Sequence, residues 1–452
     1  MSANSAGERA VVLGASMAGL LAARVLADSF AEVVVVDRDE LSGVTTARRG
    51  VPQGRHVHGL LARGQQILDE LFPGFTQRCV DDGIPTGDLG TLRWFFNGRR
   101  LAPAPTGLIC VSAARPLLES HVRTAVEALG TVRFLEGHDI IGPVVSAGGT
   151  RVTGARVQSR AAGSSAVELA ADLVVDATGR GSRTPVWLGE WGYARPAEDR
   201  IKIDLSYTTR TFRLPDESIL NGDLSINPVA SPEFPRGAFF SRIENGLCKL
   251  SLTGMLGDSA PTDSDGFLEW TKTLPVPDVY EVVRDAEPQD DATTFHYPAS
   301  VRRRYERLKR FPAGFLVLGD AACSFNPVYG QGMTVAALES LVLRDHLREG
   351  VPDPLRFFKD IAGVIDAPWE ISTGGDLGFP EVDGKRGAKV KMANAYMAKM
   401  QAAATVDGRI TRTFMRVAGL VDPPQALMSP RMIARVLRNA RIADTGEVRK
   451  AA

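Results

Sequence analysis

The sequence predicts an α/β fold, in which a Rossmann-like domain carries an inserted mixed β-sheet domain and is followed by a helical C-terminal region. One observation behind this is residues 8–39, which read as strand, glycine-rich turn, helix and strand, the order of a βαβ unit. Another is a pair of later buried strands, each ending in an aspartate and a glycine turn, at Asp176 and Asp320. A length of 452 residues, 44% of them apolar and 23% charged, suits two or three globular domains.

The first βαβ unit has the glycine spacing of a dinucleotide-binding turn. Gly14 permits the tight turn, Gly19 lets helix and strand approach closely, and the N–H groups that open the helix favour a pyrophosphate. Asp37 ends the second strand, where a carboxylate can accept hydrogen bonds from ribose hydroxyls. Ser16 stands in place of the middle glycine, so the motif is weakened rather than lost. The alternative is a βαβ unit that binds no nucleotide.

Residues 41–73 are basic and rich in turns. Arg48, Arg49, Arg55, His56 and His58 all precede an amphipathic helix that we predict at 60–72. Basic groups that follow the ribose-binding strand can line a dinucleotide phosphate. The alternative is a solvated loop whose histidines are satisfied within the protein.

The next two segments predict a second lobe and a helix that returns to the first. Trp94, Phe95 and Phe96 lie among glycines and prolines in residues 85–110, a composition typical of strands. Residues 112–129 predict a helix with Arg115 in its first turn. A cation at a helix start opposes the helix dipole, so Arg115 is expected to have an anionic or polar partner.

Alternating segments at 131–135, 151–158 and 168–169 predict a small antiparallel meander with glycine turns between its strands. It leads into a buried strand that ends at Asp176 and turns at Gly179, like the first βα junction. Strand-like runs at 201–212 and 247–253, with a helix at 265–274, predict a lobe that closes over a substrate. That middle region carries no catalytic signature.

The stretch from residue 314 to residue 347 predicts a third βα junction. An apolar strand is closed by Asp320, a loop containing Pro327 and Gly330 follows, and residues 333–347 have helical periodicity. A second helix N-terminus therefore points above the sheet and favours negative charge there.

Composition excludes several classes of function. Lys+Arg and Asp+Glu both total 53, so net charge gives no reason to expect nucleic acid as a partner. The four cysteines are scattered without a C-x-x-C pair or metal-ligand spacing, which predicts no metal site and a reducing, cytoplasmic location. No stretch approaches about eighteen uninterrupted apolar residues, so no transmembrane segment is predicted.

In order and position, the three βα junctions resemble those of the single-component flavoprotein monooxygenases, the superfamily of the aromatic hydroxylases and squalene epoxidase. The resemblance implies FAD in a glutathione-reductase-like Rossmann domain formed by residues 1–80, 111–190 and 296–365. It implies a substrate-binding sheet domain from 81–110 and 191–295, and a helical C-terminal region at 366–452. The cofactor-binding residues it implies are Gly14, Ser16, Met17, Ala18, Gly19, Asp37, Arg38, Arg48, Arg55, Arg115, Asp176, Gly179, Asp320, Gly330, Gly332 and Met333.

The same resemblance implies a flavin-facing loop. Pro327 would lie against the flavin ring near the reacting carbon, and Gly330, Gln331 and Gly332 would present backbone N–H groups that stabilise the reduced flavin. One oxygen atom of O2 would then be inserted through a flavin C4a-hydroperoxide. Because no second G-x-G-x-x-G occurs, NAD(P)H would visit the flavin transiently, or a partner flavin reductase would supply reduced flavin.

A narrower resemblance concerns the strings GVPQGRHVH at 50–58, DATGRGS at 176–182, FNPVYGQGM at 325–333 and DAPW at 366–369. They look like the flavin epoxidases of polyether antibiotic biosynthesis, which act on alkenes of polyketide chains. Gln331 stands where those enzymes tend to have histidine, and the C-terminal part differs more, so the identity of the substrate does not carry over.

The C-terminal region carries an excess of positive charge. Residues 384–452 contain fourteen Lys or Arg against four Asp or Glu, on segments with apolar stripes. Such helices can pack across the catalytic domain with their charges solvated, or lie on a membrane surface. We expect packing.

Alkene epoxidation of a hydrophobic polyketide or terpenoid is the reaction that we predict. Hydroxylation of a phenol gains from a base over the ring, and none of the six histidines falls in a motif that would place it over the flavin. Epoxidation needs orientation and dryness, and a lobe rich in Phe and Leu suits an apolar alkene. The alternatives on the same fold are a prenyl-chain reductase, an aromatic hydroxylase, a halogenase and a non-enzymatic flavin- or lipid-binding protein.

Overall fold

The computed structural model describes residues 6–445, and the predicted domain ends at 1–5 and 446–452 lie outside the described residues. The strands are β1 Gly7–Leu13, β2 Phe30–Val36, β3 Thr86–Asp88, β4 Arg93–Phe96, β5 Arg99–Arg100, β6 Ile109–Val111, β7 Val132–Leu135, β8 His138–Val145, β9 Val152–Ser159, β10 Ala166–Ala170, β11 Leu173–Asp176, β12 Glu198–Arg213, β13 Ser225–Val229, β14 Arg236–Ile243, β15 Leu247–Gly254, β16 Glu287–Pro288, β17 Thr293–Arg303, β18 Phe315–Val317 and β19 Cys323–Ser324. The helices are α1 Met17–Leu26, α2 Ala62–Leu71, α3 Phe75–Asp81, α4 Arg115–Glu127, α5 Thr184–Glu190, α6 Ser264–Thr271, α7 Asp278–Val283, α8 Gly332–Leu347, α9 Pro354–Asp376, α10 Ala388–Ala404, α11 Gly408–Ala418 and α12 Pro430–Thr445.

A five-stranded parallel sheet in the order β18-β11-β1-β2-β7 forms the first domain. Its strands are near-continuous apolar runs because both faces are covered, as is usual for parallel sheets. The helix α1 packs against α4 and α8 on one face, and β9 of the predicted meander packs next to β11 on the other. The meander forms an antiparallel sheet in the order β10-β9-β8. The predicted parallel sheet and the predicted meander are therefore both present in this domain.

A nine-stranded sheet forms the second domain, and its two faces differ in chemistry. Alternate residues of β14 and β15, such as Phe240, Leu250 and Leu252, pack into an apolar core with the side chains of α6 and α7. The opposite face carries Tyr207, Thr209 and other polar or aromatic side chains. The Phe- and Leu-rich composition of this lobe therefore builds a core under the helices and does not itself describe the substrate side.

Sheet membership differs from the predicted domain boundaries at two places. The strand β17 (Thr293–Arg303) pairs with β12 in the nine-stranded sheet, although residues 296–303 were assigned to the first domain. The boundary at residue 366 falls inside the helix α9 (Pro354–Asp376). At the first place the change of sheet comes after β17, in the connection that contains Pro312 and Gly314, and at the second the chain continues through one helix without changing structural unit.

The helices α10, α11 and α12 pack on the rest of the protein as expected. Their buried side chains include Met400, Ile410 and Val436, which form one apolar cluster with Leu89 and Leu101 from the 84–111 region. Asp407 caps α11 by accepting from the Arg409 N–H, and it also accepts from Asn439 of α12 at 2.7 Å. Among the helices of residues 6–445, none combines the length and the apolar character that crossing a bilayer requires.

This packing gives a first prediction. Ile410→Ala should lower the free energy of unfolding by about 2–4 kcal/mol, since it removes a fully buried side chain and leaves a cavity. Met392 lies on α10 and is 68% exposed, so Met392→Ala should change the free energy of unfolding little. Urea denaturation of both variants measures the two effects, and equal values would show that α11 is not part of the core.

Candidate functional site

A single continuous cavity of about 890 Å³ runs between the two domains. The first βα turn, Asp37, Asp320 and the loop that enters α8 all line it. The turn that carries Asp320 lies against the start of α1, since a Cβ on Gly319 would be 2.6 Å from the Cβ of Ala18. The nine-stranded sheet contributes Tyr207, Phe295 and Tyr297 to its wall. The predicted site residues that line it are Gly14, Ser16, Met17, Ala18, Asp37, Arg38, Arg115, Gly179, Asp320, Pro327, Gly330, Gln331, Gly332 and Met333.

The first βα turn has the close packing that its glycines predict. Gly14 has a φ of +102°, and a Cβ there would lie 2.6 Å from the carbonyl oxygen of Ala177. A Cβ on Gly19 would lie 1.8 Å from the carbonyl oxygen of Gly14, so only glycine allows α1 to approach the turn this closely. The Ala15 N–H donates to Asp37 Oδ2 at 2.8 Å, which ties the turn to the end of β2.

Ser16, the departure from the glycine motif, fits without strain. Its backbone is extended, with φ −88° and ψ −176°, so no glycine is required there. Its hydroxyl donates to Glu119 Oε2 and accepts from Arg115 Nη2, each at 3.1 Å. Glu119 and Ser16 are therefore the anionic and polar partners that the position of Arg115 predicts. The pair Arg115–Glu119, four residues apart on α4, is readable in the sequence and was missed.

Arg48 is buried behind the turn and does not line the cavity. It forms ion pairs with Asp37 at 3.4 Å, with Asp39 at 3.3 Å and with Glu119 at 2.5 Å. Arg48 and Arg115 hold the pKa of Glu119 below its usual value against the effect of burial, whereas burial raises the pKa of Asp37. We call Asp37, Asp39, Arg48, Arg115 and Glu119 the ion network.

Three further predicted cofactor residues lie off the cavity wall. Asp176 is fully buried and accepts from the hydroxyls of Thr178, Ser182 and Thr184, so its carboxylate shapes the turn after β11. Gly19 lies within α1, and Arg55 is exposed outside the cavity. The structure thus places Arg48, Asp176 and Gly19 where they position the wall, and Arg55 away from it.

Asp320 is open toward the cavity. Its carboxylate has no hydrogen-bond partner within residues 6–445, and burial raises its pKa, an effect that Arg180 and Arg115 oppose. The turn that carries it is fixed from behind, because the Gly319 N–H donates to Glu339 Oε2 at 2.5 Å. Glu339 is completely buried, and burial raises its pKa to about 8.

The loop from Ser324 to Gln331 is held from below by α9. Asn326 donates through Nδ2 to Asp376 Oδ1 at 2.7 Å, and its own Oδ1 accepts from the Val328 N–H. Burial raises the pKa of Asp376 to about 7. Gln331 is 2% exposed, and its Oε1 has no hydrogen-bond partner in the described part of the chain.

Two histidines of the basic segment, His56 and His58, line the cavity. His56 and His58 both follow the turn at Pro52–Arg55, which packs against β17. Burial lowers the pKa of His56 to about 4 and of His58 to about 3. That no histidine lies over the flavin stays a prediction. The 50–58 string has no secondary-structure period, so only the tertiary structure shows which wall it joins.

The cavity fits an extended dinucleotide. Two helix N-termini, of α1 and α8, open into it and favour the negative charge of a pyrophosphate and of a reduced ring. Arg115 Nε and Gln331 Oε1 are buried polar atoms that lack a partner within residues 6–445, and both residues line the cavity. The same residues include no cluster of His, Cys, Asp or Glu that could hold a metal ion.

Comparisons with known proteins support this fold. No protein-family profile matches the chain. It is 33% identical over 451 residues to protein Rv3254 of Mycobacterium tuberculosis (strain ATCC 25618 / H37Rv), covering 95% of this chain and 93% of that protein. A flavoprotein/dehydrogenase from Cytophaga hutchinsonii has a similar structure, with TM-score 0.69, 16% identity, and 97% and 100% of the two chains covered.

Two further similar structures have named activities. One is the myxobacterial chondrochloren halogenase CndH, a FAD-dependent halogenase, with TM-score 0.62, 15% identity, and 93% and 98% of the two chains covered. The other is PqsL of Pseudomonas aeruginosa, described as a probable FAD-dependent monooxygenase, with TM-score 0.60, 15% identity, and coverage of 90% and 98%. The predicted fold class is thereby confirmed as that of the FAD-binding flavoprotein monooxygenases.

Glu339 gives a prediction on pH dependence. Its pKa rises from 4.5 to about 8 on folding, so the folded protein holds a proton there that the unfolded chain has lost. Its contribution to stability therefore falls as pH rises through this window, by at most about 1.4 kcal/mol per pH unit. Glu339→Gln should flatten the decline in urea-measured stability between about pH 5 and pH 8 relative to the wild type. The exposed control Glu40→Gln should keep the wild-type slope, and an unchanged slope for Glu339→Gln would contradict the assignment.

Proposed function

We propose that this protein is a FAD-dependent monooxygenase. The chain belongs to the same family as protein Rv3254 of Mycobacterium tuberculosis. It also has the fold of FAD-dependent halogenases and monooxygenases. It would insert one oxygen atom of O2 into a natural-product substrate of largely apolar character. Alkene epoxidation of a polyketide or terpenoid is the reaction that we favour.

The observation that carries the proposal is the continuity of one cavity from the first βα turn to the loop before α8. An ADP moiety would occupy the end at Ser16 and Asp37, and the flavin ring would occupy the end at Pro327 and Gln331. At about 890 Å³ the cavity lies at the upper end of the usual range for ligand pockets, about 300–1,000 Å³.

Each group that would hold FAD has a distinct task. The N–H groups at the start of α1 would bind the pyrophosphate, with Arg115 beside them. Asp320 would accept from the ribityl hydroxyls, because its carboxylate has no donor within residues 6–445. The N-terminus of α8 would stabilise negative charge on the reduced ring. Bound FAD would supply the activation of dioxygen, which protein side chains cannot perform.

Epoxidation is favoured over phenol hydroxylation even though histidines line the cavity. A phenol has a pKa of about 10, and an effective base has a pKa near the working pH. Burial lowers the pKa of His56 to about 4 and of His58 to about 3, so both are neutral and weakly basic. They suit hydrogen bonding to a substrate better than removal of its proton. The rest of the wall would exclude water and orient the alkene.

The supply of electrons and the location are further parts of the proposal. NAD(P)H would reduce the flavin directly at the open cavity, or a partner flavin reductase would deliver reduced flavin. Arg38 and Arg49 line the cavity and form no ion pair within residues 6–445, so they suit the phosphates of a nucleotide. All four cysteines are free thiols, which fits the cytoplasm as the proposed compartment.

Binding of FAD tests the cofactor part. Asp320→Ala should weaken FAD affinity by about 1–3 kcal/mol, roughly five- to 150-fold in Kd, since it removes an acceptor for the ribityl chain. Quenching of FAD fluorescence during titration of the apoprotein measures this. The control is Asp345→Ala, which removes an exposed carboxylate near the end of α8 and should bind FAD like the wild type. Unchanged affinity for Asp320→Ala would show that the cofactor site is misassigned.

Labelled dioxygen tests the reaction. Holoenzyme supplied with reductant, ¹⁸O2 and a panel of terpenoid and polyketide alkenes should yield a product with one labelled oxygen, as an epoxide or its ring-opened diol. Mass spectrometry of the same reactions also separates the rivals. A saturated product without label indicates a prenyl-chain reductase, a labelled phenol indicates an aromatic hydroxylase, and a brominated product in the presence of bromide indicates a halogenase.

A further inference from the structure

We propose that His56 is a fixed hydrogen-bond donor to the substrate, and that the substrate is an unsaturated compound with a conjugated carbonyl oxygen that accepts this bond. The proposal rests on the proposed function only in taking this cavity as the substrate site. It adds a specificity-determining residue and narrows the substrate class.

His56 is part of an aromatic wall. Its ring centroid lies 5.9 Å from that of Tyr207 and 5.6 Å from that of Phe295, with interplanar angles of 45° and 44°. All three residues line the cavity. Tyr207 also belongs to an apolar cluster that includes Val328, next to Pro327 in the loop before α8. The wall therefore lies at the end of the cavity where the flavin ring is proposed.

A chain of buried hydroxyls sets the tautomer of His56. His56 Nδ1 and Thr209 Oγ1 are 2.7 Å apart, and Thr209 Oγ1 and Ser251 Oγ are 2.6 Å apart. Ser251 Oγ also accepts from the Val57 N–H at 2.9 Å. Ser251 is completely buried and Thr209 is 4% exposed, so each hydroxyl proton has to find its acceptor inside this chain.

Only one direction of donation satisfies both buried hydroxyl protons. If the Ser251 hydroxyl donates to Thr209 and the Thr209 hydroxyl donates to His56 Nδ1, both hydroxyl protons are paired, and the remaining N–H of His56 faces the cavity. In the reverse direction the buried Ser251 hydroxyl has no acceptor within residues 6–445, which leaves a buried donor unsatisfied. His56 Nδ1 is therefore an acceptor, and the proton of the neutral imidazole lies on Nε2. Burial keeps the ring neutral, since it lowers the pKa of His56 to about 4.

His56 Nε2 is the atom left for the ligand. It has no protein partner in the described part of the chain, and the ring lines the cavity. A donor N–H in an aromatic wall calls for an acceptor oxygen on a planar group, because the flanking rings pack well against a π system. A conjugated carbonyl satisfies both requirements, whereas an isolated hydrocarbon alkene would leave the N–H unpaired.

His58 provides an internal comparison. Its Nδ1 lies 2.9 Å from the carbonyl oxygen of His56, which can only accept, so His58 carries its proton on Nδ1. The two histidines of the His-Val-His string thus have opposite tautomers, and a single spectrum can compare them.

Nitrogen-15 NMR of the histidine-labelled holoenzyme tests the tautomers directly. We expect the His56 ring to show the Nε2–H pattern and the His58 ring the Nδ1–H pattern, each assigned by its loss in the corresponding Phe variant. Ser251→Ala should keep the His56 pattern, because Thr209 can still donate, whereas Thr209→Val should abolish the fixed tautomer and leave His58 unchanged. An Nδ1–H pattern for His56 in the wild type would overturn the proposal without any variant.

Ligand binding tests the substrate class. The probes are 2-acetylnaphthalene and 2-ethylnaphthalene, which have a similar shape and differ in the carbonyl group. Their binding to the holoenzyme or the apoprotein is measured from the change in naphthalene fluorescence. The ketone should bind about tenfold more tightly than the hydrocarbon, and His56→Phe should remove the difference. His296 is exposed and follows the cavity residue Phe295 on β17, so it lies on the other face of the strand. The control variant His296→Phe should retain the difference in affinity between the two probes.

The outcomes separate the two proposals. Equal binding of both probes by the wild type overturns the carbonyl subsite, whatever the result with labelled dioxygen. A protein that binds no FAD but still discriminates the probes through His56 would overturn the proposed monooxygenase and leave the subsite standing.

Discussion

Parallel pairing of β1 with β11 and of β11 with β18 is the constraint on which the rest of the site depends. Leu13 pairs with Asp176, and Asp176 pairs with Val317, so three strands end at one edge of the sheet. Turns that are more than a hundred residues apart in the chain are thereby brought to one cavity. The carboxyl edge of a parallel sheet is where such folds bind ligands, because helix N-termini also open there.

The basic segment after β2 joins the two domains across that edge. Arg48 pairs with Asp37 and Glu119 behind the first turn, while the Val57 N–H donates to Ser251 on the nine-stranded sheet. Burying several charges stabilises little on balance, since desolvation offsets much of their attraction. Removal of one member would leave the others unpaired, and so the network specifies one position for the segment. That position places the two histidines on the cavity wall.

Strand alternation separates structure from recognition in the second domain. On β15, Leu250 and Leu252 face the core beneath α6 and α7, and Ser251 faces the side that meets the first domain. The same period puts Tyr207 and Thr209 of β12 on the Ser251 side. Composition averages the two faces, which is why an apolar lobe gave a misleading impression of the substrate side. A register shift of one residue would exchange the faces and remove the site.

The sequence by itself determined those features that arise from local chemistry. The turn at Gly14 and Gly19, the strand ends at Asp37, Asp176 and Asp320, and the helices that follow are readable because φ preferences and hydrophobic periods act over a few residues. The resemblance to flavoproteins extended this to the whole order of elements. Asp320, Pro327 and Gln331 line the cavity, and their contacts with a flavin stay a prediction.

Tertiary structure alone decided which of those side chains face the cavity and which support it. Arg48 and Asp176 point into the protein, because Glu119 and the hydroxyls of Thr178, Ser182 and Thr184 satisfy them there. His56 and its hydroxyl chain could not be read from the sequence, since Thr209 and Ser251 lie more than 150 residues away from it and no periodic pattern links them. Pairings across such separations depend on strand register and on the burial of polar groups, and both are properties of the complete fold.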